Sequence, residues 1–409
     1  MKARRVEKHA ICRTSHYFSD LCDLTHKSKN LYNASLYAIR QHFFSTKTYI
    51  GYSKLAGDFA KTNIDYQQLP RKVSQQTLKL VDQNFRSFFA LLKAKKNDKV
   101  RIPNYLDKSG KYVTIFTNQA LSFVKPGYVK LSGYDIFIKT EKTDIQQVRV
   151  VPRSNHFDIE VIYLTDIEDK RSDNSRYLSV DIGLSNLVAT ASNVMKPFLI
   201  NGKPLKAINQ YYNKRKAELQ SKLGDKRKTS NRINAISRKR NDKIRDYLHK
   251  ASTWLINQLD FNQINTLIIG ENKGWKQEIN IGKKNNQNFV SVPFNKLKQM
   301  LTYKAESRGI NVICQEESYT SKASCLSNDM IPTYGEKTDD MKFSGYRKTR
   351  GIYKDKCLDL EINADVNGAY NIMRKAVGDV KIDPIEACSW PLSVKISLDT
   401  KPKLCHYWH

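Results

Sequence analysis

The stretch Ser179-Val180-Asp181-Ile182-Gly183-Leu184-Ser185-Asn186 sets an aspartate at the end of an apolar run and a glycine two residues after it. A short apolar run closed by a turn signal reads as a buried strand. A carboxylate at the edge of such a strand has to be compensated, because an unpaired charge held away from water is costly. Downstream, VATAS (188–192) and PFLIN (197–201) read as further strands, followed by helical patterns over 205–223 and 229–260. A strand at 266–270, a helix at 293–308, a strand at 311–318 and the helix NADVNGAYNIMRKA (363–376) complete the series.

Three strands, two helices, a strand, a helix, a strand and a helix suit an RNase H-like α/β sheet with helices on its faces. Upstream the texture differs. Residues 1–18 are basic and strand-like, and Ser19-Asp20 can cap a helix running to about His42. Over 71–95, Val73, Thr77, Leu80, Val81, Phe85, Phe88, Phe89 and Leu92 recur at helical spacing, up to the polar run KAKKNDK. From Lys111 to Leu164, short β-rich runs divided by Gly, Pro, Asn and Asp point to a small β-barrel. The segment IEDKRSDNSR (167–176) reads as a linker, and 409 residues suit two or three compact units.

Lys and Arg total 70 against 40 Asp and Glu, a net charge of +30. An excess of this size repels itself unless a polyanion neutralises it, so nucleic acid is the expected partner. Residues 203–250 concentrate sixteen Lys or Arg against four acids. A solvated helix face is the plain alternative there. The one-signed clustering instead marks Lys214, Arg215, Lys226, Arg227, Lys228, Arg232, Arg238, Lys239 and Arg240 as contacts to a phosphate backbone. Seven scattered cysteines with no C-x-x-C pair suit a reducing compartment without disulfides. No apolar run is long enough to span a bilayer, and MKARRVEKHA lacks a signal-type segment, so an intracellular chain with no membrane partner is expected.

A divalent cation would compensate Asp181. Asp365, at the start of the last helix, is a second candidate ligand, since a helix N-terminus favours an anion. Two or three such acids can hold Mg²⁺ or Mn²⁺, and a metal pair about 4 Å apart can activate water and steady the leaving oxygen in phosphodiester cleavage. Taken singly, Asp181 is as well read as a turn residue and Asp365 as an N-cap. His249 is better explained as a packed helix residue than as a base, and Trp275 as a core anchor than as a base-stacking platform. Gly282 and KKNNQN (283–288) read as a lid.

VDIGLSN, RDYLHK (245–250), NKGWKQE (272–278), YTSKAS (319–324) and INADVNGAYNI (362–372) together resemble the TnpB proteins of insertion sequences. These are RNA-guided DNA nucleases with a RuvC domain, ancestral to the compact type V CRISPR effectors. The similarity covers most of the chain, less specifically in its front half through residues 69–93 and 101–105. It implies a wedge β-barrel (1–18 and 110–170) interrupted by a helical recognition lobe (19–109), then a RuvC nuclease (171–320, with its final helix at 361–376). An insertion (321–360) stands at the place of the usual zinc-binding module, and 377–409 form a C-terminal tail.

Asp181 and Asp365 fall on the first and third RuvC acids. The second acid departs from the common pattern, in which a glutamate directly follows the apolar run of the fourth strand. Here Gly270 stands at that point and Glu271 one place later, turned to the other face. In a subset of TnpB proteins and their eukaryotic Fanzor relatives the glutamate stands just before the Y-T-S-K motif, where this chain has Glu317. One inter-strand step is about 4.8 Å, a gap that a Glu side chain largely bridges. Glu317 is therefore preferred, with Glu271 and Glu316 as alternatives.

The resemblance also implies two C-x-x-C pairs in the inserted module, but this chain has only Cys325 and Cys357 there, and no histidine, so no structural zinc is expected. Arg347, Lys348 and Arg350 are candidate target-DNA contacts. The implied activity is metal-dependent, RNA-guided DNA cleavage at a single RuvC site with two Mg²⁺ or Mn²⁺ ions. The guide RNA would come from the chain's own locus and the target would be double-stranded DNA with a short flanking motif. A monomer in the cytoplasm of a prokaryote, encoded by a transposable element, is the expected setting. The alternatives are a cleavage-deficient RNA-guided repressor and an RNA-independent nuclease or transposase of the same fold.

Overall fold

The computed structural model describes residues 2–94, 100–224, 227–272, 292–336, 341–379 and 386–398. Lys226, Trp275 and the expected lid at 280–288 lie outside them. The chain divides into two compact units, Lys2–Asp166 and the residues from Ile167 onward. Among the described residues no helix is long and apolar enough to cross a membrane.

In the first unit, strand β1 (Lys2–Cys12) alternates exposed and half-buried residues, as a strand with one wet face does. Three longer helices follow, α1 (Phe18–Thr46), α2 (Tyr52–Thr62) and α3 (Arg71–Lys93), with a single helical turn at Ile64–Gln67 before the last. Ser19 and Asp20 lie inside α1, which starts after Tyr17 without a side-chain cap, so the expected cap there is not formed. The stripe of α3 that enters the core is Val73, Thr77, Leu78, Val81 and Phe85, whereas Leu92 is exposed, so the apolar face turns away before the helix ends. Helix α2 has no counterpart among the expected elements, although Leu55, Ala56, Phe59 and Ala60 recur at helical spacing; it buries only Leu55 and Phe59. Strands β2 (Thr114–Thr117), β3 (Ile145–Pro152) and β4 (His156–Asp166) join β1 in a four-stranded antiparallel sheet of order β1-β4-β3-β2. Residues 121–122, 128–131 and 137–139 form a separate three-stranded sheet. The β-rich segment thus makes two sheets.

The second unit is built on β5 (Tyr177–Asp181), β6 (Asn186–Ser192) and β7 (Phe198–Asn201), an antiparallel meander. Two long helices follow, α4 (Lys203–Ser221) and α5 (Asn231–Phe261), the second opened by Ser230, whose hydroxyl accepts the Ile233 N–H. Strand β8 (Thr266–Glu271) then adds parallel to the far side of β5. After α6 (Phe294–Glu306), β9 (Asn311–Glu316) adds parallel to β8. Strands β10 (Gly345–Arg347), β11 (Ile352–Asp355) and β12 (Glu361–Asn363) make a small antiparallel sheet. Helix α7 (Ala364–Val377) continues from β12. Edge strand β13 (Leu392–Val394) completes a six-stranded mixed sheet of order β9-β8-β5-β6-β7-β13.

Because β5 is central, Leu178, Ser179 and Val180 are all buried. One apolar core contains Val180, Leu255, Ile269, Leu297 and Leu301, drawn from the sheet, α5 and α6. A second contains Ile268, Val366, Ala369, Ile372 and Met373, which seats α7 on the sheet. The Ser179 hydroxyl donates to the Ala369 carbonyl of α7 at 2.6 Å, tying that helix across β5. The sheet therefore presents the end of β5, with Asp181, directly beside the first turns of α7.

Candidate active site

Asp181 ends β5 half-buried. Its carboxyl pKa is pushed up from 3.8 to about 8, first by burial and then by the nearby Glu317 and Asp365, against a smaller opposing pull from Arg347. Like charges gathered at one point disfavour ionisation of any one of them. Two glycines make the room. A Cβ on Gly368 of α7 would stand 3.0 Å from Asp181 Oδ2, and a Cβ on Gly270 of β8 would stand 2.7 Å from Glu317 Oε2. The Glu317 carboxylate thus reaches from just beyond β9 to lie over Gly270. Burial raises its pKa, Lys298 opposes the rise, and Glu316 and Glu271 add to it.

Asp365 sits in the first turn of α7 but does not cap it. That role belongs to Asn363, whose Oδ1 accepts the N–H groups of Asp365 and Val366 at 3.0 and 3.2 Å. The Asp365 carboxylate is left for longer-range partners. Oδ2 accepts from Asn186 Nδ2 at 2.8 Å and Oδ1 from the Arg347 guanidinium at 2.7 Å. Asn186 closes the stretch that opens with Ser179, so one motif supplies both Asp181 and the side chain that orients Asp365.

The alternatives to Glu317 are engaged or turned aside. Glu316 is ion-paired with Lys375 and accepts the Ser318 N–H at 2.8 Å, contacts that hold its pKa below the ordinary value despite burial. Glu271 pairs in register with Glu316, one position on from Gly270, and side chains alternate along a strand. The loop after Glu317 is pinned to α7. Asn371 Nδ2 donates to the carbonyls of Thr320 and Ala323 at 2.9 and 2.7 Å, and Asn367 bonds Ala323 and the Cys325 N–H. Asn367 and Asn371 of INADVNGAYNI thus hold YTSKAS in place.

The basic residues divide into two groups. Lys214, Arg215, Arg227, Lys228, Arg232 and Lys239 are exposed. Arg240 is half-buried and acts within the helix pair, its guanidinium 2.8 Å from Asn209 Oδ1 of α4 and over the Tyr212 ring. Arg238 lies 3.6 Å from Asp242, and Lys348 pairs with Glu361. At Ser185, next to the Asn186 that bonds Asp365, stands a cationic group that sequence reasoning only partly found. Lys206 donates to Ser185 Oγ at 2.8 Å, and its pKa is lowered by burial and then by Arg350 and Lys203. His249 is pushed down to about 4 by burial, which leaves it neutral and in keeping with a packed helix residue.

Among the described residues, no three His, Cys, Asp or Glu side chains are already drawn together as a metal cage. The donor set nevertheless suits a hard divalent cation, being all carboxylate oxygen with mutual repulsion that such an ion would relieve.

Two sequence families match the chain: "Probable transposase" (OrfB of IS605) over residues 156–276, and "Cas12f1-like, TNB domain" over residues 294–372. A TnpB-like protein of Methanocaldococcus jannaschii is 26% identical over 206 residues, spanning 49% of this chain and 68% of that protein. The CRISPR-associated endodeoxyribonuclease Cas12f2 of a Micrarchaeota archaeon is 27% identical over 216 residues, 50% of this chain and 38% of that protein. Among solved structures, the mini-RNA-guided endonuclease CRISPR-Cas_phi3 aligns over 92% of both chains with a TM-score of 0.48 and 11% identity.

Proposed function

From the premise that the chain belongs to the TnpB family, we propose that it is an RNA-guided DNA endonuclease that cuts at the cluster Asp181, Glu317 and Asp365. The observation that supports this reading is that Glu317 and Asp365, from two distant segments, stand near enough to Asp181 at the end of β5 to push its pKa, with burial, up to about 8. Such repulsion costs stability and is characteristic of a site built for chemistry.

Mg²⁺ or Mn²⁺, two ions in this reading, would be held by Asp181, Glu317 and Asp365 and would supply Lewis-acid activation of water and of the leaving oxygen. The chain's own residues set the stage. Asn186 and Arg347 orient Asp365, Gly270 and Gly368 leave room for the carboxylates, and the pinned 320–325 loop fixes the base of Glu317. Lys203, Lys206 and Arg350 bring positive charge to one side, suited to drawing in a phosphate backbone. The exposed cations of α4 and α5 extend that track.

The meander followed by two parallel strands supports an RNase H-like sheet, and the first unit would combine the wedge barrel with a recognition lobe that reads a short flanking motif. Base pairing with a guide RNA from the same locus would select the target, and one site would cut both strands in turn. We read the protein as a prokaryotic, cytoplasmic product of a transposable element, acting as a monomer.

Purifying the chain with and without its co-transcribed RNA tests this. Cleavage of matching double-stranded DNA only with RNA and a divalent ion supports the proposal. Guided binding without cutting would make it a repressor, and cutting without RNA an unguided nuclease.

A further inference from the structure

Two turns in the 321–360 region meet across one buried carboxylate. Asp355, the last residue of β11, is fully buried and accepts four hydrogen bonds. Its Oδ2 takes the hydroxyls of Ser324 and Ser327, the latter at 2.6 Å. Its Oδ1 takes the backbone N–H groups of Cys357 and Leu358, at 2.8 and 3.0 Å. Burial would raise its pKa, but these donors outweigh burial and hold it below the ordinary carboxylate value, so the group stays charged. Asp329 extends the network, accepting the N–H groups of Ser324 at 2.7 Å and Ser344 at 2.9 Å. Ser324 is therefore shared, its N–H on one carboxylate and its hydroxyl on the other.

The cross-link leads to the acid cluster. Strand β10 pairs with β11 so that Gly345 lies opposite Asp355 and Arg347 opposite Tyr353. Tyr353 is itself buried, with its hydroxyl donating to the Lys322 carbonyl at 2.8 Å. Fixing β11 against the 324–327 turn thus fixes the strand from which Arg347 reaches Asp365. Ser324 and Ser327 are three residues apart, as are Asp355 and Leu358, so the two turns close around an oxyanion supplied by the chain itself.

We propose that Asp355 is a positioning residue: its carboxylate is a metal-free clasp between the 324–327 and 355–358 turns that sets Arg347 on Asp365. The functional part of this rests on the reading of the Asp365 cluster as the cutting site; the clasp itself does not.

The test compares the RNA-loaded wild type with Asp355→Asn and with the milder Ser327→Ala, each also combined with Arg347→Ala. Amide hydrogen exchange over 341–358 and single-turnover DNA cleavage are measured alongside guided binding. Asp355→Asn should speed exchange and slow cleavage by about tenfold, and Ser327→Ala by about threefold, with binding unchanged. Neither should slow cleavage further in the Arg347→Ala background, because residues acting in one network are not additive. A zinc chelator should leave the exchange rates unchanged. Unaltered exchange in both variants, loosening by the chelator, or cleavage losses that multiply with Arg347→Ala would overturn the proposal. If Asp355→Asn does not fold, Ser327→Ala decides alone. If the wild type cuts nothing, the nuclease reading fails, while the exchange data still decide the clasp.

Discussion

In the four-stranded sheet of the first unit, Glu160 lies between Lys8 and Arg149 at 2.6 and 2.7 Å, and Asp158 between Arg153 at 2.8 Å and His156 at 3.3 Å. At the end of β5 in the second unit, Asp181 instead faces Glu317 and Asp365, against the weaker opposing pull of Arg347. Burial favours the neutral acid in both places. For Asp158 the hydrogen bonds of His156 and Arg153 outweigh it and hold the pKa well below the ordinary value; for Asp181 the neighbours push the same way as burial. The first arrangement stabilises the fold. The second costs stability and gains a concentrated negative site.

The contrast breaks most visibly if the acid cluster is not the cutting site. Asp181→Ala or Asp365→Ala should lower cleavage by about a thousandfold or more while guided binding persists, as expected when several kcal/mol of transition-state stabilisation are removed. Full cleavage by either variant would remove the cluster from the mechanism. A sharper cut compares two glutamates: Glu317→Ala should cost about a hundredfold and Glu271→Ala less than about tenfold. The reverse ranking would return the role to the strand end of β8. Gly270→Ala should lower cleavage by about tenfold without loss of binding, since its Cβ would stand 2.7 Å from Glu317 Oε2 and small displacements of reacting groups are costly.

Stability tests the same contrast with opposite signs. A carboxyl raised from 3.8 to about 8 on folding loses the fold stability as pH rises through that interval, and the cost is complete above it. Asp181→Asn should therefore stabilise the metal-free protein by about 1 kcal/mol or more at pH 8, with the gain fading towards pH 4 and shrinking when Mg²⁺ is added. Asp158 is depressed instead, so its contribution is present above its ordinary value of 3.8 and lost as pH falls below it. Asp158→Asn should cost about 1 kcal/mol at neutral pH in denaturant melts, Arg153 being partly exposed. A stabilised Asp158 variant or a destabilised Asp181 variant would erase the distinction.

The parts of this arrangement legible in sequence are those carried by periodicity or by a local turn. The long helices α1, α3 and α5, the run ending at Asp181 and the start of α7 follow from apolar spacing, whereas the caps do not: α1 and α3 carry no side-chain cap, and Asn363 rather than Asp365 caps α7. The reach of Glu317 across to Gly270 was legible because strand spacing and side-chain length are fixed quantities. Pairings between distant segments were not. Arg347 reads in sequence as one cation of a basic run, and only the β10–β11 pairing brings it to Asp365. Arg240 reads as a phosphate contact, yet it spends its guanidinium on Asn209 between two helices, because a helix stripe does not reveal which partner helix covers it. The serines around Asp355 carry no distinctive spacing that separates them from ordinary turn residues.

On the proposed reading, Glu317 lying over Gly270 also bears on how such sites diverge. When two parallel strands end side by side, a functional group can keep its coordinates while its tether migrates from one backbone to the next, provided the vacated slot shrinks to hydrogen. Column-by-column comparison would score that exchange as a lost residue, whereas superposing atoms would find nothing missing. Chains dismissed as inert for want of an acid in the customary column merit a search of the adjoining strand's tip.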